Sequence, residues 1–151
     1  MNVRQARPSD AAVISDFNVR MARETENRRL NRARVRSGVA ALLKDGTKGT
    51  YFLAEEQGIV AGQLSITYEW SDWRNGNFWW IQSVYVAPEF RRRGVFRALY
   101  EHALKLAKSR RGVCGLRLYV DADNTRAQRA YERLGMDESH YKFFEIDFVL
   151  K

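Results

Sequence analysis

The 151-residue chain carries 26 lysine and arginine residues against 18 aspartate and glutamate residues, which gives a formal net charge of +8. This length fits one compact domain with a core and is short for two. We therefore expect a single domain over residues 1–151. The positive charge favours polyanionic ligands, and nucleic acid, a membrane surface and a phosphorylated cofactor all meet that condition.

The cysteine content and the hydropathy pattern indicate the cellular compartment. The one cysteine, Cys114, excludes an internal disulfide and favours a reduced, intracellular protein. No apolar run approaches the roughly 20 residues of a membrane-spanning helix, and the amino-terminal residues MNVRQARPSD lack the apolar stretch of a signal peptide. We expect a cytoplasmic protein with no membrane partner, and no metal site is predicted.

The first third of the chain predicts a strand followed by two helices. NVRQAR is short and alternating, and Pro8-Ser9-Asp10 is typical of a helix start. A second, arginine-rich helix is predicted within residues 24–43. Apolar residues lie on one stripe of each helix: Ala12, Val13 and Phe17 in the first, and Leu30, Val35, Val39 and Leu42 in the second.

The middle of the chain predicts an antiparallel meander. TYFLAEEQGIVAGQLSITYEW reads as two strands about a turn at Gln57-Gly58, and Asn75-Gly76 marks the turn into a third strand. That third strand, FWWIQSVYV, stops before Pro88, which cannot donate to a ladder.

The last third predicts two more helices and two more strands. Helical spacing follows Gly94 and recurs in NTRAQRAYERLG, while LRLYV and the alternating terminal segment YKFFEIDFVL read as strands. The fold class is therefore α+β: a central mixed, mostly antiparallel sheet flanked by about four helices.

Three arginines run straight into Gly94 between the strand that ends at Pro88 and the helix that follows. The first turn of a helix has backbone N–H groups without intrahelical acceptors, and the helix dipole makes this end partly positive. Gly94 lets consecutive N–H groups converge on a phosphate. A solvated basic turn is the alternative, which the spacing alone does not exclude.

Two motifs follow each other along the chain. RRRGVF at residues 91–96 has arginine first and glycine fourth, and NTRAQRAYERLGM at residues 124–136 contains Asn124, Ala127, Tyr131 and Gly135. With them the chain resembles the GNAT superfamily of acyl-CoA-dependent N-acyltransferases, whose signatures are Gln/Arg-x-x-Gly-x-Gly/Ala and Asn-x-x-Ala-x-x-x-Tyr-x-x-x-Gly-Phe. Phe96 and Met136 depart from these patterns. The resemblance covers nearly the whole chain and is weakest in residues 20–50.

The resemblance implies acetyl-CoA as the cofactor, held where two strands of a GNAT-like domain splay apart. Its pantetheine arm would pair with backbone near residues 84–86, and its diphosphate would lie on the backbone of residues 92–97. It also implies that the Val84 N–H polarises the thioester carbonyl and that Tyr131 is the general acid. The implied cofactor-binding residues are Val84, Tyr85, Val86, Arg91, Arg92, Arg93, Gly94, Val95, Phe96, Arg97, Asn124 and Tyr131.

An attacking amine must also lose a proton, because the pKa of a free alkylamine is roughly 10. The positions where family members often carry glutamate correspond approximately to Trp80 and Tyr119, which are not carboxylates. Glu69 or Asp72 is therefore predicted as the general base. The alternative is that both carboxylates face water at a hairpin tip.

The same meander predicts the acceptor pocket. Trp70, Trp73 and Trp80, with a neighbouring carboxylate, would recognise a cationic amine. The alternative is that these side chains pack in the core of the sheet. We expect this for two of the meander's four tryptophans, a group that also includes Trp79. Glu24 and Glu26, expected between the first two helices, are assigned to the same wall because that region closes over the acceptor in the family.

The resemblance implies an enzyme that transfers an acetyl group from acetyl-CoA to a primary amine of a small molecule or peptide, by direct attack in a ternary complex. The alternative is a non-catalytic module that binds acyl-CoA, or nucleic acid through its arginine-rich second helix. Neither the acceptor nor the oligomeric state follows from the sequence, although exposed strand edges can pair two copies as a homodimer.

Overall fold

The computed structural model describes residues 1–150. The chain divides into two compact units, Met1–Leu118 and Tyr119–Lys151. A single domain over residues 1–151 stays a prediction.

The first unit contains one five-stranded sheet and three helices. The strands lie in the order of the chain, with antiparallel pairing from β1 to β4 and parallel pairing between β4 and β5. This confirms the predicted α+β class with a mixed, mostly antiparallel sheet. The strands are β1 (Asn2–Gln5), β2 (Thr50–Glu56), β3 (Ile59–Ser71), β4 (Gly76–Val86) and β5 (Val113–Arg117), and the helices are α1 (Ala11–Glu26), α2 (Arg32–Lys44) and α3 (Val95–Ser109).

Strand β2 shows how the helices are distributed over the sheet. Tyr51 and Leu53 belong to a buried cluster with residues of α1 and α2. Phe52 lies between them in sequence, and its ring contacts His102 of α3 at a centroid distance of 5.0 Å. Because successive side chains of a strand point to opposite faces, α1 and α2 cover one face of the sheet and α3 covers the other.

Two predicted boundaries are wrong by a few residues. Glu24 and Glu26 lie in the last turn of α1, which ends where Asn27 adopts a left-handed conformation with φ of 49°. Strand β5 begins at Val113 rather than at Leu116. Asn tolerates such a conformation better than most residues. The charged residues after Glu24 contain no other signal for the end of α1, and the predicted boundary was therefore too early.

The second unit contains α4 (Thr125–Arg133). The predicted terminal strand is wrong: residues 141–150 have no strand conformation, and Phe144, Ile146 and Phe148 are more than 80% exposed. A strand needs a neighbour for its backbone groups, and among its described residues this unit contains no other strand. The alternation of side chains in the sequence predicted a strand without supplying its partner.

Candidate active site

Strand β4 has an open edge over its second half. Its pairing with β5 runs from Asn77 opposite Val113 to Trp80 opposite Arg117 and then stops. Residues 81–86 continue β4 with no further pairing to β5. The backbone groups on this edge of the segment therefore have no partner strand.

A β-bulge lies within this open segment. Gln63 of β3 pairs with Tyr85 and Ser65 pairs with Gln82, so Leu64 alone faces the two residues Ser83 and Val84. The extra residue bends a strand and reorients its peptide groups. Ser83 has a φ of 51°, a left-handed value that is uncommon for serine.

Two side chains of β3 hold the carbonyl groups of the bulge. Ser65 Oγ donates to the Gln82 carbonyl at 3.0 Å, and Gln63 Nε2 donates to the Ser83 carbonyl at 3.0 Å. In a planar trans peptide the carbonyl of one residue and the N–H of the next point in opposite directions. The N–H of Val84 therefore points away from Gln63.

Gln63 is itself fixed by a buried polar chain. It is fully buried, and its Nε2 also donates to Asn18 Oδ1 at 2.8 Å. Asn18 Nδ2 in turn donates to the Tyr51 hydroxyl at 2.9 Å. Buried polar groups of this kind are expensive to leave unpaired, so the chain from α1 through β3 fixes the conformation of the bulge.

The turn after β4 leads into α3 through two left-handed residues. Arg92 has a φ of 63° and Gly94 a φ of 77°, and Gly94 is the N-cap of α3. The Ala98 N–H donates to the Gly94 carbonyl at 3.0 Å, so the N–H groups of the preceding turn point out of the helix. A Cβ at Gly94 would meet no atom within 4 Å. The turn therefore provides an open, partly positive backbone surface that suits a diphosphate.

Two arginines of the turn are held by carboxylates. Arg91 Nη2 contacts Glu24 Oε2 at 2.8 Å, and its Nε donates to the Val86 carbonyl at 2.9 Å. Arg93 Nη2 lies 3.2 Å from Glu56 Oε2. These guanidinium groups hold the turn against α1 and β2, so an anion at Gly94 would be bound mainly by main-chain N–H groups.

Glu24 joins α1 to both β4 and the turn. Its Oε1 accepts a hydrogen bond of 2.8 Å from the Tyr85 hydroxyl, and its Oε2 accepts one from Arg91. Burial alone would raise the pKa of Glu24, but the hydrogen bonds from Arg91 and Tyr85 and the charge of Arg20 hold it below its ordinary value. Both oxygens of the Glu24 carboxylate thus bind groups of the protein itself.

A Glu24→Gln variant should weaken acetyl-CoA binding by about two- to five-fold, the range expected for an exposed ion pair. Because the folded-state pKa of Glu24 is lowered, its contribution to stability is present above the ordinary pKa of glutamate and is lost as pH falls through the lowered value. Denaturant unfolding of the parent protein and of Glu24→Gln, at neutral pH and in acid, measures this contribution. If the two proteins differed in unfolding free energy by the same amount at both pH values, the ion-pair explanation would be contradicted.

Phe96, which departs from the family pattern, lies in the first turn of α3. Its ring packs against Tyr100 one turn later, at a centroid distance of 6.1 Å. The side chain thus follows the helix surface.

The two predicted general bases have different surroundings. Glu69 Oε1 accepts hydrogen bonds from Trp80 Nε1 at 3.0 Å and from Arg117 Nη1 at 2.7 Å. The hydrogen bond from Trp80, and then that from Arg117, hold the pKa of Glu69 below its ordinary value. Asp72 is exposed and accepts from the neighbouring Trp73 N–H at 3.0 Å. Only Glu69 therefore contacts a residue near the open edge of β4.

The tryptophans of the meander differ in their exposure. Trp79 is buried, Trp80 is half-buried beside Glu69, and Trp70 and Trp73 are 60% and 85% exposed. Glu26 is exposed. The assignment of Trp70, Trp73 and Trp80 to a common acceptor wall stays a prediction.

In the second unit, both predicted residues lie on or beside α4. Asn124 is the N-cap, and its Oδ1 accepts from the Ala127 N–H at 3.2 Å. The cap uses Oδ1 of Asn124 as the acceptor, so Nδ2 of the same side chain can still donate to a ligand. Tyr131 is half-buried, and burial raises the pKa of its hydroxyl above the ordinary value, so the phenol is protonated at neutral pH.

Residues 1–150 contain no group of three or more histidine, cysteine, aspartate or glutamate side chains arranged to hold a metal ion. No helix in the described chain has both the length and the apolar character needed to cross a bilayer.

The family model described as the acetyltransferase (GNAT) family matches residues 15–136. The chain belongs to this GNAT acetyltransferase family. Its alignment with N-alpha-acetyltransferase 40 of Saccharomyces cerevisiae has 35% identity over 100 residues and covers 60% of this chain and 32% of that protein. The chain thus covers about a third of that relative's length.

Solved structures resemble this GNAT chain over nearly its whole length. A possible acetyltransferase from Clostridium difficile 630 is 42% identical, with a TM-score of 0.92 and coverage of 98% of this chain and 97% of that one. A predicted acetyltransferase of Clostridium acetobutylicum, solved with acetyl-CoA, has a TM-score of 0.78 at 17% identity, covering 98% and 96% of the two chains. The latter likeness concerns the fold alone.

The sequence did not single out the residues that hold the bulge. Gln63, Ser65 and Asn18 connect it to β3 and α1. The available signal was the polar pair Gln63 and Ser65 at alternate positions of the otherwise apolar stretch AGQLSI, because polar residues on a buried face of a strand need specific partners.

A Gly94→Ala variant tests the backbone site of this GNAT chain. Alanine at φ of 77° should cost about 1–2 kcal/mol of unfolding free energy, and its methyl group should raise the Kd of acetyl-CoA about ten-fold by blocking close approach. Gly58 is a matched control, because it has the same φ and open surroundings at the β2–β3 turn. Gly58→Ala should lose similar stability and retain normal binding; equal Kd values in the two variants would exclude Gly94 from the site. Calorimetric titration measures both.

Proposed function

We propose that the protein transfers an acetyl group from acetyl-CoA to a primary amine by direct attack in a ternary complex. The observation that carries the proposal is the bulge of β4, which turns the Val84 N–H away from Gln63 beside the open edge. The backbone turn at Gly94 follows a few residues later and suits a diphosphate. One chain segment thus combines a hydrogen-bond donor for a carbonyl with a binding surface for an anion.

The residues fit acetyl-CoA. The backbone of residues 84–86 and of residues 91–97 would hold it, together with Asn124 of α4, and when bound it would supply an acetyl group activated as a thioester. The Val84 N–H would donate to the thioester carbonyl oxygen, where negative charge develops during attack. Tyr131, whose hydroxyl is protonated at neutral pH, would donate its proton to the leaving thiolate.

We propose Glu69 rather than Asp72 as the final acceptor of the amine proton, which would reach it through water, because Glu69 contacts Trp80 on the same strand as Val84. Its lowered pKa keeps it ionised at neutral pH. As pH increases, the rise in turnover should therefore follow the pKa of the acceptor amine and not that of Glu69.

We further propose that both units belong to one domain, since the family match spans residues 15–136 and so includes parts of both. Expression of residues 1–118 alone tests this. A fragment that folds cooperatively with the stability of the whole chain would contradict it.

The proposed reaction is tested by incubating the protein with acetyl-CoA and a panel of polyamines, amino acids, aminoglycosides and peptide amino termini. Release of free thiol and a mass increase of one acetyl group on the same acceptor would support it. Tight acetyl-CoA binding without acetylation of any amine would favour the non-catalytic alternative.

Nucleic-acid binding is the second candidate, because exposed arginines of α2 and the preceding residues give a basic surface: Arg28, Arg29, Arg32, Arg34 and Arg36. Titration with a DNA or RNA duplex at two salt concentrations separates the candidates. Steeply salt-dependent duplex binding without acetyl-CoA binding would overturn the enzymatic proposal.

A further inference from the structure

A cavity of about 290 Å³ lies between α1 and α2 and reaches Ser83 of the β4 bulge. Ser83 immediately precedes Val84, the proposed donor to the thioester carbonyl. The cavity therefore reaches the residue next to the proposed oxyanion donor. The volume is at the low end of the range for ligand pockets, which suits one side chain or a small molecule.

The wall of the cavity is mostly apolar. Its apolar residues come from both helices and from the segment between them: Met21, Leu30, Val35, Val39 and Leu42. None of the described residues that line it is a carboxylate. Such a wall favours an apolar group on the acceptor, since it offers a cationic chain no counter-charge.

Three polar residues also line the cavity: Asn18, Tyr51 and Ser83. They lie close together, because Gln63 Nε2 donates to Asn18 Oδ1 and to the Ser83 carbonyl, and Asn18 Nδ2 donates to the Tyr51 hydroxyl. The Tyr51 hydroxyl accepts from Asn18 Nδ2 at 2.9 Å, and no group among the described residues accepts the proton of this hydroxyl. Tyr51 is 5% exposed. The hydroxyl can therefore donate to an oxygen of a bound acceptor close to the bulge.

The charges around the cavity disfavour polycations. The segment that contributes Leu30 has the sequence NRRLNR, with Arg28 and Arg29 exposed. The nearby carboxylate of Glu24 is already paired with Arg91. A polyamine or aminoglycoside would meet net positive charge here, whereas an acceptor with one amine and an apolar group would not.

We propose that the acceptor is an α-amine next to an apolar side chain, such as that of leucine, methionine or phenylalanine, with the side chain in the cavity and the adjacent carbonyl oxygen on the Tyr51 hydroxyl. This inference rests on the proposed acetyl transfer and names its substrate class. A free amino acid and a peptide amino terminus share this chemistry.

The substrate test compares leucinamide, methioninamide and phenylalaninamide with glycinamide, putrescine and spermidine at a fixed acetyl-CoA concentration. The three apolar amides should have kcat/KM values about ten-fold or more above that of glycinamide. Free leucine and a leucine-initiated peptide, run in parallel, distinguish the two sources of the α-amine. Turnover of glycinamide or of the polyamines at rates equal to those of the apolar amides would overturn the inference.

Gly38 offers a cavity-filling variant that should fold. It lines the cavity, a Cβ there meets nothing within 4 Å, and it lies inside α2, where glycine is a poor helix former. Gly38→Leu should raise KM for leucinamide about ten-fold with little change in the Kd of acetyl-CoA. Ala33→Leu is the control, since Ala33 is exposed on the same helix and does not line the cavity. Equal KM values in the two variants would overturn the assignment of the cavity.

Calorimetric binding of leucinamide in the presence of coenzyme A separates failure of this inference from failure of the proposed reaction. Binding that Gly38→Leu abolishes, without acetylation of any amine, would support the cavity and contradict the reaction. Acetylation of polyamines alone, with no leucinamide binding, would support the reaction and overturn the inference.

Discussion

Replacement of Tyr131 by phenylalanine is expected to lower kcat about 100-fold or more, the usual contribution of a positioned general acid, while the Kd of acetyl-CoA changes little. The variant removes one hydroxyl and keeps the half-buried ring, so the packing of α4 should persist. Single-turnover kinetics with acetyl-CoA and an accepted amine, together with calorimetric binding of acetyl-CoA, measure the two effects separately.

The pH profile adds a second readout for Tyr131. Burial raises its pKa, so the protonated phenol is present at neutral pH and is lost only as pH rises through the raised value. The decline of kcat at high pH should therefore be present in the parent protein and absent from Tyr131→Phe. Tyr141→Phe is a suitable control in the same unit, because Tyr141 is 67% exposed. Unchanged turnover in Tyr131→Phe would refute its assignment as the general acid.

The sequence predicted the parts of the fold that follow from local patterns. Alternation and turn residues placed the strands of the meander, and Pro88 and Gly94 marked the turn before α3. These features are local because a strand, a turn and a helix start are each determined by residues a few positions apart. The same reasoning failed for residues 141–150, where the pattern is present and no described strand pairs with it.

The candidate site was only partly predictable for a related reason. The roles proposed for Val84 and Gly94 depend on backbone groups, and a short motif indicates where that backbone lies. Glu24 and Arg91, by contrast, are 67 residues apart in sequence and meet only in the fold. Trp70 and Trp73 show the opposite case: they are close in sequence, yet both are exposed at a hairpin instead of being buried together. Spacing along the chain does not reveal which side chains share a surface once strands and helices pack.

Gln63→Met is the second variant with a large expected effect. Methionine keeps the length of the side chain and removes the amide that donates to the Ser83 carbonyl and to Asn18 Oδ1. We expect kcat to fall about 100-fold, as when an oxyanion donor is lost, because the Val84 N–H would no longer be held in position. The unfolding free energy should fall by about 1–3 kcal/mol, since buried acceptors lose their partner.

The split between kcat and stability decides whether Gln63 positions the bulge or only stabilises the fold. Ser65→Ala is the matched control, because Ser65 donates to the Gln82 carbonyl one residue earlier and its loss leaves the Ser83 carbonyl bonded. It should cost about 1 kcal/mol of unfolding free energy and retain most of kcat. If both variants lose stability in proportion to kcat, the bulge needs no specific support from Gln63. If Gln63→Met alone loses kcat, with the KM for the amine nearly unchanged, the direction of the Val84 N–H depends on the buried amide.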